Sequence, residues 1–99
     1  MQIIIGDVIL LELLQGATSD AHAQRIHDEL KPFRFEQMVG QEIAVSAARN
    51  YRQLRSLGAT IRSTIHLIVG TYCIQHGHLL MQNDRDFLPM AEHLGLQLL

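Results

Sequence analysis

The chain has 99 residues, 47% of them apolar, and a formal net charge of -2. This length and composition predict one globular domain, residues 1–99, and exclude a disordered chain. The slight negative charge argues against a nucleic-acid binder that works by bulk charge, although a local basic patch is compatible with it.

The single cysteine and the apolar runs bear on where in the cell the protein is expected to be. Cys73 permits no internal disulfide, and its apolar helical surroundings favour a small core residue over a nucleophile. The longest apolar run, residues 3–14, is interrupted by a glycine and two acidic residues, so no membrane span is predicted. The start lacks the pattern of a secretory signal. We therefore expect a cytoplasmic protein.

The chain opens with a predicted strand and helix. Residues 1–6 form a β-branched run, which is typical of a strand buried on both faces in a parallel sheet. Asp7 is placed to cap a helix over residues 8–15. Glu12 is the only charge on that apolar helix, and an unpaired buried charge is costly. It therefore reaches solvent, pairs with a cation, or serves as a ligand.

Two more helices are predicted before residue 58. Asp20 is placed to cap the first, which ends near Lys31, and residues 33–39 are irregular with at most a short strand. The other covers residues 41–57 and ends at Gly58. Its predicted buried edge consists of Ile43, Ala47, Tyr51 and Leu54.

Arginines form the one concentrated basic feature of the sequence. They recur every third residue on the third helix, with one more nearby: Arg49, Arg52, Arg55 and Arg62. Such a ridge can meet a phosphate backbone. An ordinary solvated helix face is the alternative, and the spacing alone favours it.

Residues 62–87 carry the main candidate site. Ser63 or Thr64 can cap a helix that Gly77 ends, and residues 78–82 then indicate a short buried strand. An acidic turn follows that strand. In open α/β sheets, ligand sites lie beyond the carboxyl ends of the strands, which makes Asp84 the first candidate.

The remaining residues complete an α/β pattern. A short helix is predicted over residues 87–93 with Asp86 as its N-cap, and a last strand over residues 96–99. Strands separated by helices predict a mainly parallel sheet.

Three segments in this order resemble the PIN-domain ribonucleases, most closely the VapC toxins of bacterial toxin–antitoxin pairs. They are IIIGDVILLELLQG at 3–16, YRQLRSLGATIRSTIHLIV at 51–69 and LLMQNDRDF at 79–87. The resemblance implies a three-layer fold around a mainly parallel central sheet. It also implies RNA phosphodiester hydrolysis with Mg2+ or Mn2+ held by four acids, a cognate antitoxin as partner, and a homodimer.

The resemblance also assigns residues. Glu12 and Asp84 fall on catalytic metal ligands of the family, and Asp86 falls on the second aspartate of the same turn. Thr64 and Asn83 lie beside these positions and can orient ligands or phosphate. The arginine ridge is where RNA would bind.

The chain departs from the family in two places. The family opens with a strand that ends in an aspartate and a first helix, so we expect a PIN-like domain truncated at its N-terminus and lacking that β-α unit. His66 stands where the family has its third aspartate. Imidazole suits Mn2+ or Zn2+ better than Mg2+. Away from the family, a histidine here is typical of a hydrogen-bonded core or rim residue.

Because two of the four expected acids are absent, other functions stay open. An inactive PIN remnant can act as an antitoxin-binding or self-associating module. A receiver-like signalling domain also places acids at the carboxyl ends of a parallel sheet. The sequence lacks that domain's paired acids after the first strand and its later lysine.

Overall fold

A computed structural model describes residues 3–82 and 84–99 of the chain. They form two compact units, the first ending at Met38 and the second spanning Val39–Leu99. Helices alternate with short parallel strands, which confirms the predicted α/β class. The described strands form two two-stranded sheets, one in each unit. That the two units make one domain stays a prediction.

The first unit is a pair of parallel strands joined through two helices. Strand β1 (Ile4–Gly6) is followed by α1 (Asp7–Gln15), α2 (Asp20–Leu30) and β2 (Arg34–Glu36). Ile4 of β1 lies opposite Arg34 of β2, and Gly6 lies opposite Glu36. The Met38 side chain packs where a side chain on Gly6 would lie, so this glycine permits the close approach after β2.

Two predicted helix caps in the first unit are replaced by other arrangements. Asp7 is the first residue of α1, and its Oδ1 accepts the backbone N–H groups of Val8 at 2.9 Å and of Met38 at 3.0 Å. Its carboxylate therefore ties the chain after β2 to the start of α1. Helix α2 is capped by Ser19 instead of Asp20, because the Ser19 hydroxyl accepts the N–H of His22 at 3.1 Å.

The second unit is built on two packed helices, α3 (Gln41–Ser56) and α4 (Thr64–His76). The predicted edge of α3 is buried at Ile43, Ala47 and Leu54, whereas Tyr51 is half-buried. Helix α4 is largely buried, because six of its thirteen residues lie in the core. They are Leu67, Val69, Gly70, Thr71, Tyr72 and Cys73.

The second unit ends in short elements that close around α4. Strand β3 (Leu79–Leu80) is followed by a 3-10 turn (Arg85–Phe87), helix α5 (Leu88–Leu94) and strand β4 (Gln97–Leu98). Strands β3 and β4 pair in parallel, with Leu79 opposite Gln97. The predicted strand over residues 78–82 is shorter than expected and only partly buried. No helix in the described part of the chain is long and apolar enough to cross a membrane.

Candidate metal site

The acidic turn after β3 places Asp86 against the beginning of α4. Its Oδ1 accepts the backbone N–H of Arg62 at 3.1 Å, and its Oδ2 accepts the N–H of Ser63 at 3.0 Å. Oδ2 also lies 2.9 Å from Nδ1 of His66. Because the side chain is only 9% exposed, these protein groups replace most of the water that would otherwise solvate the carboxylate.

This environment favours the ionised form of Asp86. Burial alone raises the pKa of a carboxyl group, since a charge loses solvation in the protein interior. Hydrogen bonds from the Arg62 N–H, the His66 ring and the Ser63 N–H act in the opposite direction and outweigh burial. The pKa of Asp86 therefore lies below its ordinary value of 3.8.

His66 lies in the first turn of α4 and is oriented by its neighbours. Helix α4 begins after Ser63, whose hydroxyl accepts the His66 N–H at 3.3 Å, as the sequence predicted for this cap. The His66 ring packs against Phe87 with 4.9 Å between ring centroids. Its side chain is 14% exposed, so the ring is largely buried but not fully enclosed.

Asp84 is the exposed member of the group. Its Oδ1 accepts the N–H of Asp86 at 2.9 Å and so caps the 3-10 turn, the place where sequence analysis expected Asp86 to be the cap. The Asp84 N–H donates to Oε1 of Gln82 at 3.1 Å. The turn thus fixes the backbone of Asp84 while leaving its side chain at the surface.

His66, Asp84 and Asp86 together form a group that can hold a metal ion. One potential ligand atom from each residue lies within 4.8 Å of the others. The two carboxylates suit Mg2+ or Mn2+, whereas the imidazole nitrogen suits Mn2+ or Zn2+. The residues therefore fit a divalent cation, with a donor set that favours a transition metal.

The other predicted site residues lie outside this group. Glu12 is exposed on α1 in the first unit. That it shares a metal site with Asp84, as the resemblance implies, stays a prediction. Thr64 is exposed as the first residue of α4. Asn83 lies outside the described residues. The four arginines of the ridge are all exposed, and none of them has an acidic partner in the described chain: Arg49, Arg52, Arg55 and Arg62.

Sequence analysis missed the contact between His66 and Asp86. The two residues are twenty positions apart, and no local pattern connects them. One signal was available, because the first backbone N–H groups of a helix, starting with that of the capping residue Ser63, have no acceptor within the helix. The acidic turn supplies the charged group suited to that role.

The sequence matches no known family profile. The fold, however, is similar to that of a chain in VapBC2 from Rickettsia felis bound to a DNA fragment from its promoter, with a TM-score of 0.80 and 18% identity. That match covers 99% of this chain and 74% of the other. A chain of VapBC-1 from nontypeable Haemophilus influenzae is also similar, with a TM-score of 0.76 and 14% identity over 99% of this chain and 73% of the other.

Proposed function

We propose that this chain is a VapC-like toxin of a toxin–antitoxin pair, a PIN-type endoribonuclease that hydrolyses RNA phosphodiester bonds with a divalent metal ion. The observation that carries the proposal is the convergence of His66, Asp84 and Asp86. It occurs in a chain whose fold resembles those of two VapBC chains. Because one fold can support many functions, the chemistry of this group has to carry the assignment.

In this proposal the chain supplies the ligands and their support. A bound Mg2+ or Mn2+ would activate water and stabilise the negative charge that builds on the phosphate. Asp84 provides an exposed carboxylate on a rigid turn, and Asp86 holds the His66 ring in place. By the family resemblance, Glu12 would supply a further oxygen, and Thr64 and Asn83 would orient the phosphate.

The proposed partners are a cognate antitoxin, a second copy of the chain, and RNA. Exposed apolar side chains on α1 support a protein partner, since Leu11 is 57% exposed and Leu13 is 44% exposed. The exposed arginine ridge supports an RNA backbone as the polyanion bound during cleavage. A toxin of this kind would act on RNA in the cytoplasm.

One observation favours a second candidate, a catalytically inactive module that binds an antitoxin or associates with itself. The Asp86 carboxylate already accepts three protein donors, and the position expected to carry a third aspartate holds His66. A site with fewer free carboxylate oxygens binds Mg2+ less well. Such a chain would keep the surfaces for its partners and lose cleavage.

Cleavage of a structured RNA in Mg2+ or Mn2+ separates the two candidates. An active enzyme requires metal-dependent cleavage that is lost in Asp84→Asn, because the amide removes a charged ligand oxygen. Glu92→Gln is the matched control, because Glu92 is 74% exposed on α5 and lies outside the cluster. Cleavage by His66→Asp but not by the native chain would support the inactive module. Failure of every variant with both metals would contradict the ribonuclease proposal for this chain.

A further inference from the structure

The contact between His66 and Asp86 assigns different roles to the three residues of the cluster. We infer that His66, through Nε2, and Asp84 bind a transition-metal ion directly, whereas Asp86 is a positioning residue that fixes the His66 ring. The ion that this donor set selects is one that accepts nitrogen, with Zn2+ as its probe, in preference to Mg2+. This inference rests on the proposed metal site but does not require that the chain cleave RNA.

The first argument concerns the hydrogen bonds that the Asp86 carboxylate already accepts from the protein. Each carboxylate oxygen offers two lone-pair sites. Both sites of Oδ2 are used, by the Ser63 N–H at 3.0 Å and by His66 Nδ1 at 2.9 Å. Oδ1 accepts the Arg62 N–H at 3.1 Å, and the side chain is only 9% exposed. Three of the four acceptor sites are therefore used, and the fourth, on Oδ1, belongs to a side chain with little exposure. A metal ion that displaced these donors would leave part-buried N–H groups unpaired, which is costly.

The second argument concerns the proton on His66. A carboxylate only accepts hydrogen bonds, so the 2.9 Å contact requires that Nδ1 carry the proton. In the neutral imidazole the other nitrogen, Nε2, then has the free lone pair. A histidine whose second nitrogen donates to a carboxylate is the usual arrangement of a histidine metal ligand, because the carboxylate fixes the tautomer and strengthens the ligand.

The third argument concerns Asp84. Its Oδ1 accepts the Asp86 N–H, which holds the carboxylate beside the cluster. Its Oδ2 has no hydrogen-bond partner in the described part of the chain, and the residue is exposed. Of the two carboxylates in the cluster, Asp84 is thus the one with more unused acceptor sites and the greater exposure, so it is better placed to enter a coordination shell.

The proposed ligands, a nitrogen from His66 and an oxygen from Asp84, determine which metal ion the site prefers. Mg2+ takes oxygen ligands in a near-ideal octahedron and keeps much of its water, so it gains little from an imidazole. Imidazole suits Zn2+, and divalent ions of the first transition row bind such sites with an affinity that rises from manganese to copper and falls again at zinc. The replacement of a carboxylate by His66 therefore changes metal selectivity.

Nitrogen-15 NMR of the metal-free protein at neutral pH tests the tautomer without any variant. The inference requires that neutral His66 carry its proton on Nδ1, and that Zn2+ shift the Nε2 resonance while the Nδ1 proton is retained. A proton on Nε2, or a Zn2+-induced loss of the Nδ1 proton, would overturn it.

Calorimetry of the whole chain with Zn2+ and Mg2+ tests the roles. His66→Gln and Asp84→Asn should abolish the Zn2+ site, whereas Asp86→Asn should keep one bound ion with an affinity about 10- to 100-fold lower. His78→Gln is the control, because the His76 and His78 rings lie 5.9 Å apart and are the alternative place for zinc.

Loss of binding in that control, with binding retained in His66→Gln, would mean adventitious zinc and overturn the assignment. Zn2+ binding with no cleavage would leave this inference intact while the enzyme proposal failed.

Discussion

The Oδ2 atom of Asp86 accepts the backbone N–H of Ser63 at 3.0 Å, which joins the 3-10 turn to the residue that caps α4. The same carboxylate accepts the N–H of Arg62, so it satisfies two donors that precede the helix. Helix ends without such acceptors are destabilised. The acidic turn therefore has a structural role that is independent of any metal.

Asp86→Ala should lower the free energy of unfolding of the chain by about 2–4 kcal/mol, because buried N–H groups lose a charged acceptor. Asp86→Asn should cost less, since its amide oxygen still accepts. Urea denaturation measures both changes. Glu92→Gln on the exposed face of α5 is the control and should change the free energy by less than about 0.5 kcal/mol. A change in Asp86→Ala as small as the control would mean that the contacts do not stabilise the fold.

The free energy of unfolding should depend on pH through the ionisation of the Asp86 carboxylate. Hydrogen bonds hold the pKa of Asp86 below 3.8 in the folded chain, whereas the unfolded chain has the ordinary value. The native carboxylate therefore contributes stability that is fully present above the unfolded pKa and is lost as pH falls through the folded pKa. The difference in unfolding free energy between the native chain and Asp86→Asn should shrink as pH falls below ~4. A difference that grows as pH falls below that value would contradict the assignment.

Glycines in the sequence predicted where α3 and α4 end. Gly58 and Gly77 both adopt positive φ after these helices, as expected for left-handed stops. The roles of the two turn aspartates were not predictable in the same way. Asp84, instead of Asp86, caps the next element, and Asp86 bonds to residues more than twenty positions earlier. Such contacts depend on how α4 packs against the turn, and a cap pattern in the sequence does not record that packing.

For the candidate site, the turn after β3 indicated a ligand site at Asp84, and the resemblance to PIN domains implied that the ligand is a metal ion. The structure brings His66, Asp84 and Asp86 together, and metal binding there stays a prediction. Which of the three residues would bind the metal and which would position a ligand was not predictable, because this depends on which carboxylate oxygen accepts which hydrogen bond. A strand over residues 33–39 was expected to be short at most, and β2 has three residues.

Cys73 should be chemically unreactive in the folded chain. Burial raises the pKa of its thiol to about 11, and only the thiolate is nucleophilic. Alkylation by iodoacetamide at pH 8 should be at least about 100-fold slower in the native chain than in the urea-unfolded chain, where the pKa is near 8.5. Since this is the single cysteine, the modified mass reports it directly. Comparable rates in both states would show that the helix opens often or that the thiol is accessible.

The arginine ridge makes a testable contribution to RNA binding. Arg52 is exposed on α3 and has no acidic partner in the described chain, so Arg52→Gln should leave stability unchanged. If its guanidinium meets a phosphate, the variant should bind single-stranded RNA more weakly. The slope of log affinity against log salt should become shallower by about 0.7. Fluorescence anisotropy at several salt concentrations measures both quantities.

Arg25→Gln removes one equally exposed charge from α2 and should leave the slope unchanged. Equal effects in the two variants would mean that RNA responds to net charge and that the ridge is an ordinary solvated helix face.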